Sequence, residues 1–356
     1  MGKDTVNRRQ MFSAAFVALL SPLARRFPSS LVMVSGSASW LAPLLALGPV
    51  VIFIVFMGRL LRGGRDLGEL LRLSLGRRLG GLVIFIISIW LIFYCGFILR
   101  SAAYRFSSTA YPGAAPAVFI ILSAIACLPL AAGSFSALAR SSVLIKPLLL
   151  GVLVLVLGLS LSDCSFTGLF ALEEADTLPV LRSSFTVLNT LSVISYLGFA
   201  ENHCRESFST RRCLLWALVA LGMTELLCLC CLGVFGAELT VKLNYPFFML
   251  VRDVSLFNSF ARMEALAIAL WMFADALHFS LLLHVAAGNL ARCTGKSRLP
   301  ISLAAGALAA IAGLLMPGDM LGVGLFSEKI LPLGNALIIF GLLPLSAFIG
   351  WLRRKI

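Results

Sequence analysis

Apolar segments long enough for membrane helices recur along almost the whole chain, and only short polar segments separate them. A bilayer core of about 30 Å is crossed by roughly 20 apolar residues in a helix. With that guide, the pattern predicts ten membrane-spanning segments, at residues 11–23, 38–61, 79–101, 114–132, 143–161, 185–204, 213–236, 263–287, 301–316 and 331–351. We therefore expect residues 1–356 to form one all-α integral membrane domain.

Composition and charge support a membrane protein. Of the 356 residues, 60% are hydrophobic and 13% charged, and the mean hydropathy is +1.00. The net charge of +13 does not indicate nucleic-acid binding, because the basic residues cluster in the connections between apolar segments. About 20 of the 29 Lys and Arg residues fall on one side of the ten-span arrangement, which predicts that this side and both termini are cytoplasmic.

We expect neither an enzyme nor a cleaved leader, although a basic start before about a dozen apolar residues resembles a signal peptide. The segment "SPLARRFPSS" places two arginines and a proline where a signal-peptide cleavage site needs small residues. Cys228 and Cys231 form a C-x-x-C pair inside an apolar segment, where we expect reduced cysteines and no disulfide. We recognise no pair of nucleophile and base, nucleotide-binding loop or metal-ligand spacing, so we expect no enzyme activity, cofactor or metal.

Two predicted spans look interrupted. The first ends at Ser21 and Pro22, and the sixth contains Gly198, with Glu201 one turn further on. Interrupted helices at matching positions in two halves of a chain are typical of transporter sites, because a broken helix exposes backbone N–H and C=O groups. The alternative is that Pro22 and Gly198 only kink packed helices.

Glu201 favours a functional break, because an ionised carboxylate at membrane depth costs at least a few kcal/mol without a partner or water. We expect Gly198 to break the sixth span and Glu201 to lie in a cavity near the free N–H groups of the next half-helix. Glu225, Asp275 and His278 are candidates for ion or proton coupling, although each carboxyl could instead be protonated or act in helix packing.

Two polar connections are expected to lie outside the bilayer. The arginine-rich segment 59–78 is mildly amphipathic and is expected to lie on anionic headgroups. Segment 245–259 has apolar residues at helical spacing after a proline, and we expect a short external helix over the site. The sequence leaves open whether this helix is a lid or a fixed cover.

Several segments together resemble the spore germination permeases, the B subunits of germinant receptors in the amino acid–polyamine–organocation superfamily. The resemblance covers most of the chain in the same order. It rests on "SYLGFAE", "SGSASWL", "LSLGRRLGGLV", "VFGAELTVKLNYPFFMLVRDVS" and "FARMEALAIALWMFADALHFSLLLHVAAGNLA".

The resemblance implies a LeuT-type fold of ten helices in two inverted five-helix repeats, with helices one and six discontinuous around a small-molecule site. It also implies assembly with an A subunit and a lipoprotein C subunit in the spore inner membrane, and a nutrient germinant such as an amino acid. A proton- or sodium-coupled amino acid transporter is the alternative. The predicted ligand-binding residues are Ser21, Pro22, Ser195, Tyr196, Gly198, Phe199 and Glu201.

Overall fold

The computed structural model describes residues 4–23, 25, 27–109, 111, 113–165, 167, 177–253, 263–318 and 320–353, and nearly all of them are helical. Between the longer helices lie 3-10 segments at Gly36–Trp40, Leu61–Gly63, Leu161–Asp163 and Gly198–His203, and π-helical segments at Phe326–Ile330 and Leu337–Leu342. The α-helices are α1 Arg8–Leu23, α2 Phe27–Ser35, α3 Leu41–Leu60, α4 Leu67–Leu75, α5 Arg77–Thr109, α6 Pro116–Ala132, α7 Phe135–Ser160, α8 Thr177–Thr190, α9 Val193–Leu197, α10 Thr210–Lys242, α11 Pro246–Asp253, α12 Met263–Thr294, α13 Arg298–Leu315, α14 Met320–Leu325, α15 Leu331–Ala336 and α16 Leu343–Leu352.

Eight helical stretches in the described part of the chain are long and apolar enough to cross a membrane by length and composition. Helix α6, with 17 residues, and α1, with 16 residues, are shorter than these stretches. The multi-pass membrane architecture is therefore confirmed, whereas the count of ten spans stays a prediction.

The first span is longer than predicted and is interrupted. Helix α1 ends at Leu23 and the chain resumes as α2 at Phe27, so residues 11–23 are only the first half of the segment. Pro22 lies in the last turn of α1, where it cannot donate to the helix ladder and its ring crowds the preceding turn. A corner at Gly36, whose φ of +54° favours glycine, then separates α2 from α3.

The sixth span is also interrupted, but not where the sequence predicted. Helix α8 ends at Thr190, a two-residue turn follows, and α9 continues directly into the 3-10 segment at Gly198. Gly198 has ordinary helical angles (φ −59°, ψ −23°), so it doesn't need the conformational freedom of glycine. Its role is close packing, because a Cβ there would lie 2.6 Å from Leu67 Cδ1 and 3.0 Å from Met57 Cε.

Other elements extend beyond the predicted boundaries or pack differently. Helix α5 continues to Thr109 rather than ending at residue 101, and α7 begins at Phe135, where Ser134 caps it by accepting from Ala137 N–H. Within the segment 59–78, expected on headgroups, α4 packs its apolar face against α5 and α16. Part of this arginine-rich segment is therefore buried against other helices of the protein.

The predicted external helix corresponds to α11, which covers Pro246–Asp253 and packs against α12, α10 and α7. Residues 254–259 of that prediction lie outside the described residues. The most extensive helix pairing in the bundle joins α5 and α12. These two helices and the interruption after α1 bring together the largest set of buried charged side chains.

Candidate functional site

Buried charges meet beside the interruption of the first span, in what we call the central cluster: Ser21, Arg25, Arg105, Asp275 and His278. Asp275 of α12 is only 4% exposed. Its carboxylate accepts a hydrogen bond from Ser21 Oγ at 2.6 Å, forms an ion pair with Arg105 of α5, and lies 3.5 Å from Arg25 Nη2. Three separate parts of the chain therefore share one carboxylate.

The interruption itself places Ser21 and Arg25. The N–H of Arg25 donates to the carbonyl of Pro22 at 3.1 Å, which turns the chain just past the end of α1. Arg25 Nη2 then donates to Ser21 Oγ at 2.7 Å, and the same hydroxyl lies 3.2 Å from Nδ1 of His278. His278 is one turn after Asp275 on α12, so both face the interruption.

Arg25 is incompletely satisfied. Its Nε is buried and makes no hydrogen bond to a described residue, and its approach to Asp275 is at the long limit for a hydrogen bond. Its guanidinium stacks over the ring of Phe97, with the carbon Cζ 5.4 Å from the centroid. A guanidinium with a spare donor in a dry site is suited to bind a carboxylate or another planar anion.

Aromatic side chains enclose the cluster. Trp271 Nε1 donates to the carbonyl of Leu20 at 3.0 Å, which fixes the indole against the last turn of α1. The rings of Phe247 and Phe248, both on α11, lie 4.3 and 5.8 Å from Trp271, centroid to centroid. Phe248 also lies 5.9 Å from Cζ of Arg105, centroid to atom, so α11 forms one wall of the cluster.

An apolar cavity of about 430 Å³ reaches Asp275 from between α5, α6 and α12. Its walls include Phe106, Cys127, Met272 and Phe279. A largely apolar cavity with a few convergent polar groups is the usual form of a small-molecule site. Asp275 is the member of the central cluster that lines this cavity, so the cavity provides an apolar space beside the carboxylate.

The sixth span carries a separate polar network. Asn335 of α15 accepts hydrogen bonds from the hydroxyl of Tyr196 and from Trp90 Nε1, the latter at 3.0 Å. Its amide nitrogen donates to Asn189 Oδ1 at 2.5 Å and to Ser192 Oγ at 3.2 Å. The network holds the turn that interrupts the sixth span, so Tyr196 acts on the shape of the interruption.

Glu201 does not line a solvated break, and that expectation was wrong. It is 4% exposed and accepts two hydrogen bonds from the guanidinium of Arg8, at 2.8 and 2.5 Å. Arg8 Nη2 also donates to the carbonyl of Glu206 at 2.6 Å. The buried carboxylate is stabilised by a bidentate partner rather than by water.

The pair belongs to a larger contact, which we call the N-terminal clasp, between residues 4–8 and 201–206. Val6 forms a small parallel bridge there, donating to the carbonyl of His203 at 2.8 Å and accepting from Arg205 N–H at 3.0 Å. Asp4 accepts from the N–H groups of Phe135 and Ser136, both at 2.8 Å. The clasp fastens the start of the chain to the end of the sixth span and to α7.

The predicted site residues therefore divide into groups. Ser21 and Pro22 come together with Asp275 and His278, whereas Gly198 packs against α4 and Glu201 lies in the clasp. Ser195 is buried, and its hydroxyl makes no hydrogen bond to a described residue. Buried Phe199 accepts a hydrogen bond from Arg292 through its carbonyl. Among the described residues, Glu225 forms neither a hydrogen bond nor an ion pair with the central cluster. Ligand contact by each predicted residue stays a prediction.

Sequence reasoning missed Arg8, Arg25 and Arg105, which it treated as charges that set the orientation of the chain. All three are at most 5% exposed and pair with carboxylates. The sequence signal that could have found these arginines was Asp275 in an apolar helix, because a carboxylate there requires a cationic partner.

The described residues contain no group of three His, Cys, Asp or Glu side chains placed to hold a metal ion, and all nine cysteines are free.

Solved transporter structures share this fold. MhsT in complex with L-phenylalanine matches with a TM-score of 0.66 and 16% identity, over 94% of this chain and 88% of that chain. Mhp1, a nucleobase-cation-symport-1 family transporter with bromovinylhydantoin bound, matches with a TM-score of 0.63 and 15% identity, over 98% and 80%. A Na⁺-coupled sialic acid symporter matches with a TM-score of 0.61 and 13% identity, over 95% and 80%.

These matches show the LeuT-type fold, in which the first and sixth spans are discontinuous as the resemblance implied. Sequence identities this low are evidence for a shared fold but not for a shared substrate. No curated protein matches the chain. The model of a family described as "Spore germination protein" matches residues 5–315, which is most of the chain. The chain therefore belongs to the spore germination protein family and is a multi-pass, permease-like membrane protein rather than an enzyme.

Proposed function

We propose that the chain binds a small nutrient with a carboxylate group, an amino acid above all, at the central cluster, and that binding signals germination. The observation that carries the proposal is the arrangement of Arg25 and Asp275 beside the interruption of the first span. The structure of the similar MhsT contains L-phenylalanine, and the LeuT-type fold places ligands near its discontinuous helices.

The two charges complement the two ends of an amino acid. The carboxylate of the ligand would accept from Arg25, whose Nε makes no hydrogen bond to a described residue. The ammonium group of the ligand would donate to Asp275. The 3.5 Å separation between Arg25 and Asp275 is a loose contact that a zwitterion can replace without leaving either charge unpaired.

Asp275 keeps a second function in this arrangement. Its ion pair with Arg105 and its bond from Ser21 connect α5, α12 and the end of α1. A ligand that competes for Asp275 would change how these three elements hold together. This gives ligand binding a direct way to shift the bundle between two arrangements.

The proposal includes the assembly that the family suggests. The chain would act with a germinant-receptor A subunit and a lipoprotein C subunit in the spore inner membrane, with both termini in the cytoplasm. The many exposed apolar residues, such as Ile52, Leu144 and Leu315, suit contact with lipid or with other membrane subunits.

The test compares spores that carry Arg25→Gln or Arg9→Gln with wild-type spores. Arg9 is an exposed arginine of α1 and serves as the matched control. Across a panel of amino acids, we expect Arg25→Gln to lose the response at normal abundance of the protein, and Arg9→Gln to keep it. A wild-type response from Arg25→Gln at normal abundance would refute the proposed ligand contact.

A coupled amino acid transporter is the second candidate. Glu225 of α10 favours it, because this membrane carboxylate has a buried oxygen, Oε2, with no hydrogen-bond partner among the described residues. Asp275 and Glu201 are less suited to coupling, since arginines already neutralise them. Uptake of labelled amino acid into vesicles that depends on an ion gradient, and is lost in Glu225→Gln, would favour the transporter over the receptor.

A further inference from the structure

A polar cavity, which we call the clasp-side cavity, lies near the N-terminal clasp. It has a volume of about 240 Å³ and is enclosed by the 3-10 segment after α9, by α12 and by the start of α13. His284 in its wall is nine residues after Asp275, which is about 13 Å along α12. The clasp-side cavity is therefore distinct from the central cluster.

The polar groups of this cavity are cationic or neutral donors. They are Asn202, His203, His284, Arg292 and Arg298, and no Asp or Glu is among the residues that line it. Nearby carboxylates are already engaged, because Asp66 pairs with Arg292 and Asp4 accepts from the first N–H groups of α7. Because Asp66 neutralises Arg292, the remaining positive charge of the cavity comes from Arg298.

Two side chains in the wall have buried polar atoms that make no hydrogen bond to a described residue. His284 is 3% exposed, and neither ring nitrogen makes a hydrogen bond to a described residue. Arg298 donates from Nη2 to the carbonyl of Ala131 at 3.3 Å, but its buried Nε has no acceptor. Buried polar groups in proteins are nearly always hydrogen-bonded, so unpaired donors around a cavity indicate a missing acceptor.

A neighbouring cavity of about 260 Å³ extends the same pattern. It shares Asn202 and Arg292 with the clasp-side cavity and is also lined by Asn289. Asn289 is 1% exposed, and its amide nitrogen has no acceptor among the described residues. The neighbouring cavity contains Asp66 and Glu69 in its wall, so an anion is better accommodated in the clasp-side cavity, beside His284.

We propose that the clasp-side cavity binds a phosphate-class oxyanion, held by Arg298 and one ring N–H of His284. Arg292 lines the same cavity but already pairs with Asp66, so it is not counted among the ligand's direct partners. A phosphate group presents several acceptor oxygens, so it can satisfy donors that converge from different helices, and guanidinium groups match its geometry. The source is either the headgroup of an anionic lipid or free phosphate. Basic pockets between membrane helices near the bilayer surface are known to take lipid headgroups.

Occupation of the cavity would strengthen the clasp. His203 contributes to the cavity wall and also contacts the carbonyl of Asp4, at 2.9 Å from Nδ1. An anion bound beside it would connect the end of the sixth span to α12 and α13. The ligand would then stabilise the contact between residues 4–8 and the end of the sixth span.

The experiment uses the full-length protein in nanodiscs and consists of two measurements. Calorimetric titration in phosphatidylcholine nanodiscs measures the binding of inorganic phosphate. Native mass spectrometry, after exchange into lipid mixtures containing phosphatidylglycerol, measures which lipid the protein retains. The variants are Arg298→Gln, Arg298→Lys and His284→Phe. Arg140→Gln is the matched control, because Arg140 is an exposed arginine near the start of α7 outside the cavity.

We expect wild type and Arg140→Gln to bind equally, and Arg298→Gln to bind at least about tenfold more weakly, with partial recovery in Arg298→Lys. Phosphate binding in phosphatidylcholine identifies the free anion as the ligand, whereas retention of phosphatidylglycerol without phosphate binding identifies the headgroup. Absence of both, or equal weakening by Arg298→Gln and Arg140→Gln, would overturn the proposal. Should His284→Phe fail to fold, the Arg298 variants still decide the result.

Discussion

Removal of the charge on Glu201 tests whether the N-terminal clasp depends on a buried ion pair. Arg8 is 1% exposed in the wild type, and in Glu201→Gln its buried guanidinium would lose its carboxylate partner. Hydrogen bonds to charged groups contribute about 1.5–3 kcal/mol each, and breaking a buried pair by removing one partner costs about 3–5 kcal/mol. Since Gln keeps one acceptor oxygen, we expect a loss of about 3 kcal/mol in the free energy of unfolding.

Two further variants distinguish the contribution of the ion pair from the contribution of the residues packed around it. Arg8→Met combined with Glu201→Leu replaces both charges by apolar groups, which is often close to neutral for buried pairs. The bond from Arg8 to the Glu206 carbonyl is also lost, so we expect the double variant within about 1–2 kcal/mol of wild type. Glu206→Gln is the control, because its ion pair with Arg212 is exposed and should contribute little to stability. Gln at this position can still accept the hydrogen bond from the Arg8 backbone N–H.

The assay is denaturant unfolding of the purified protein in mild detergent, together with its abundance in spore membranes. The predicted order of stability places Glu206→Gln near wild type, the double variant next and Glu201→Gln last. A double variant as unstable as Glu201→Gln would show that the apolar surroundings don't accept the replacement. A Glu201→Gln protein within about 0.5 kcal/mol of wild type would refute the reasoning about the ion pair.

Three other changes test the site and the clasp. Asp275→Asn leaves Arg25 and Arg105 without their shared carboxylate, so we expect a loss of about 3–5 kcal/mol and strongly reduced abundance on immunoblots of spore membranes. Gly198→Val should lower the unfolding midpoint more than Gly198→Ala, because the added carbons overlap Leu67; equal midpoints would contradict this. Burial would raise the pKa of Asp4, but the N–H groups at the start of α7 outweigh burial and leave that pKa below its ordinary value. The resulting stabilisation is present above about pH 4 and is lost as the pH falls through the lowered pKa. In Asp4→Asn, the free energy of unfolding should therefore fall less steeply at acid pH than in wild type.

The apolar pattern could predict the helices because a bilayer imposes their length, and Pro22 marked the end of α1 because proline cannot continue a helix ladder. Asp275 and His278 were recognisable for a similar reason, since ionisable groups inside membrane helices require partners. The identity of those partners could not be predicted. Arg105 and Arg25 are 170 and 250 residues from Asp275 in sequence, and only tertiary packing brings them together.

Two errors have the same origin. Gly198 was interpreted from its backbone freedom, whereas its role is the close approach of α4, which no local pattern reveals. Glu201 was placed in water because its partner Arg8 lies 193 residues away and had been counted among the charges that set orientation. Local chemistry therefore identified where a polar group needed a partner, but not which partner it found.

The central claim is that Arg25 binds the carboxylate of a nutrient ligand. The most direct measurement compares the affinities of purified wild type and Arg25→Gln for the most effective amino acid of the spore panel and for its carboxamide. A charge-assisted contact contributes about 1.5–3 kcal/mol, so wild type should prefer the acid by about 10- to 100-fold, and Arg25→Gln should bind both ligands about equally. An undiminished preference for the acid in Arg25→Gln would contradict the claim.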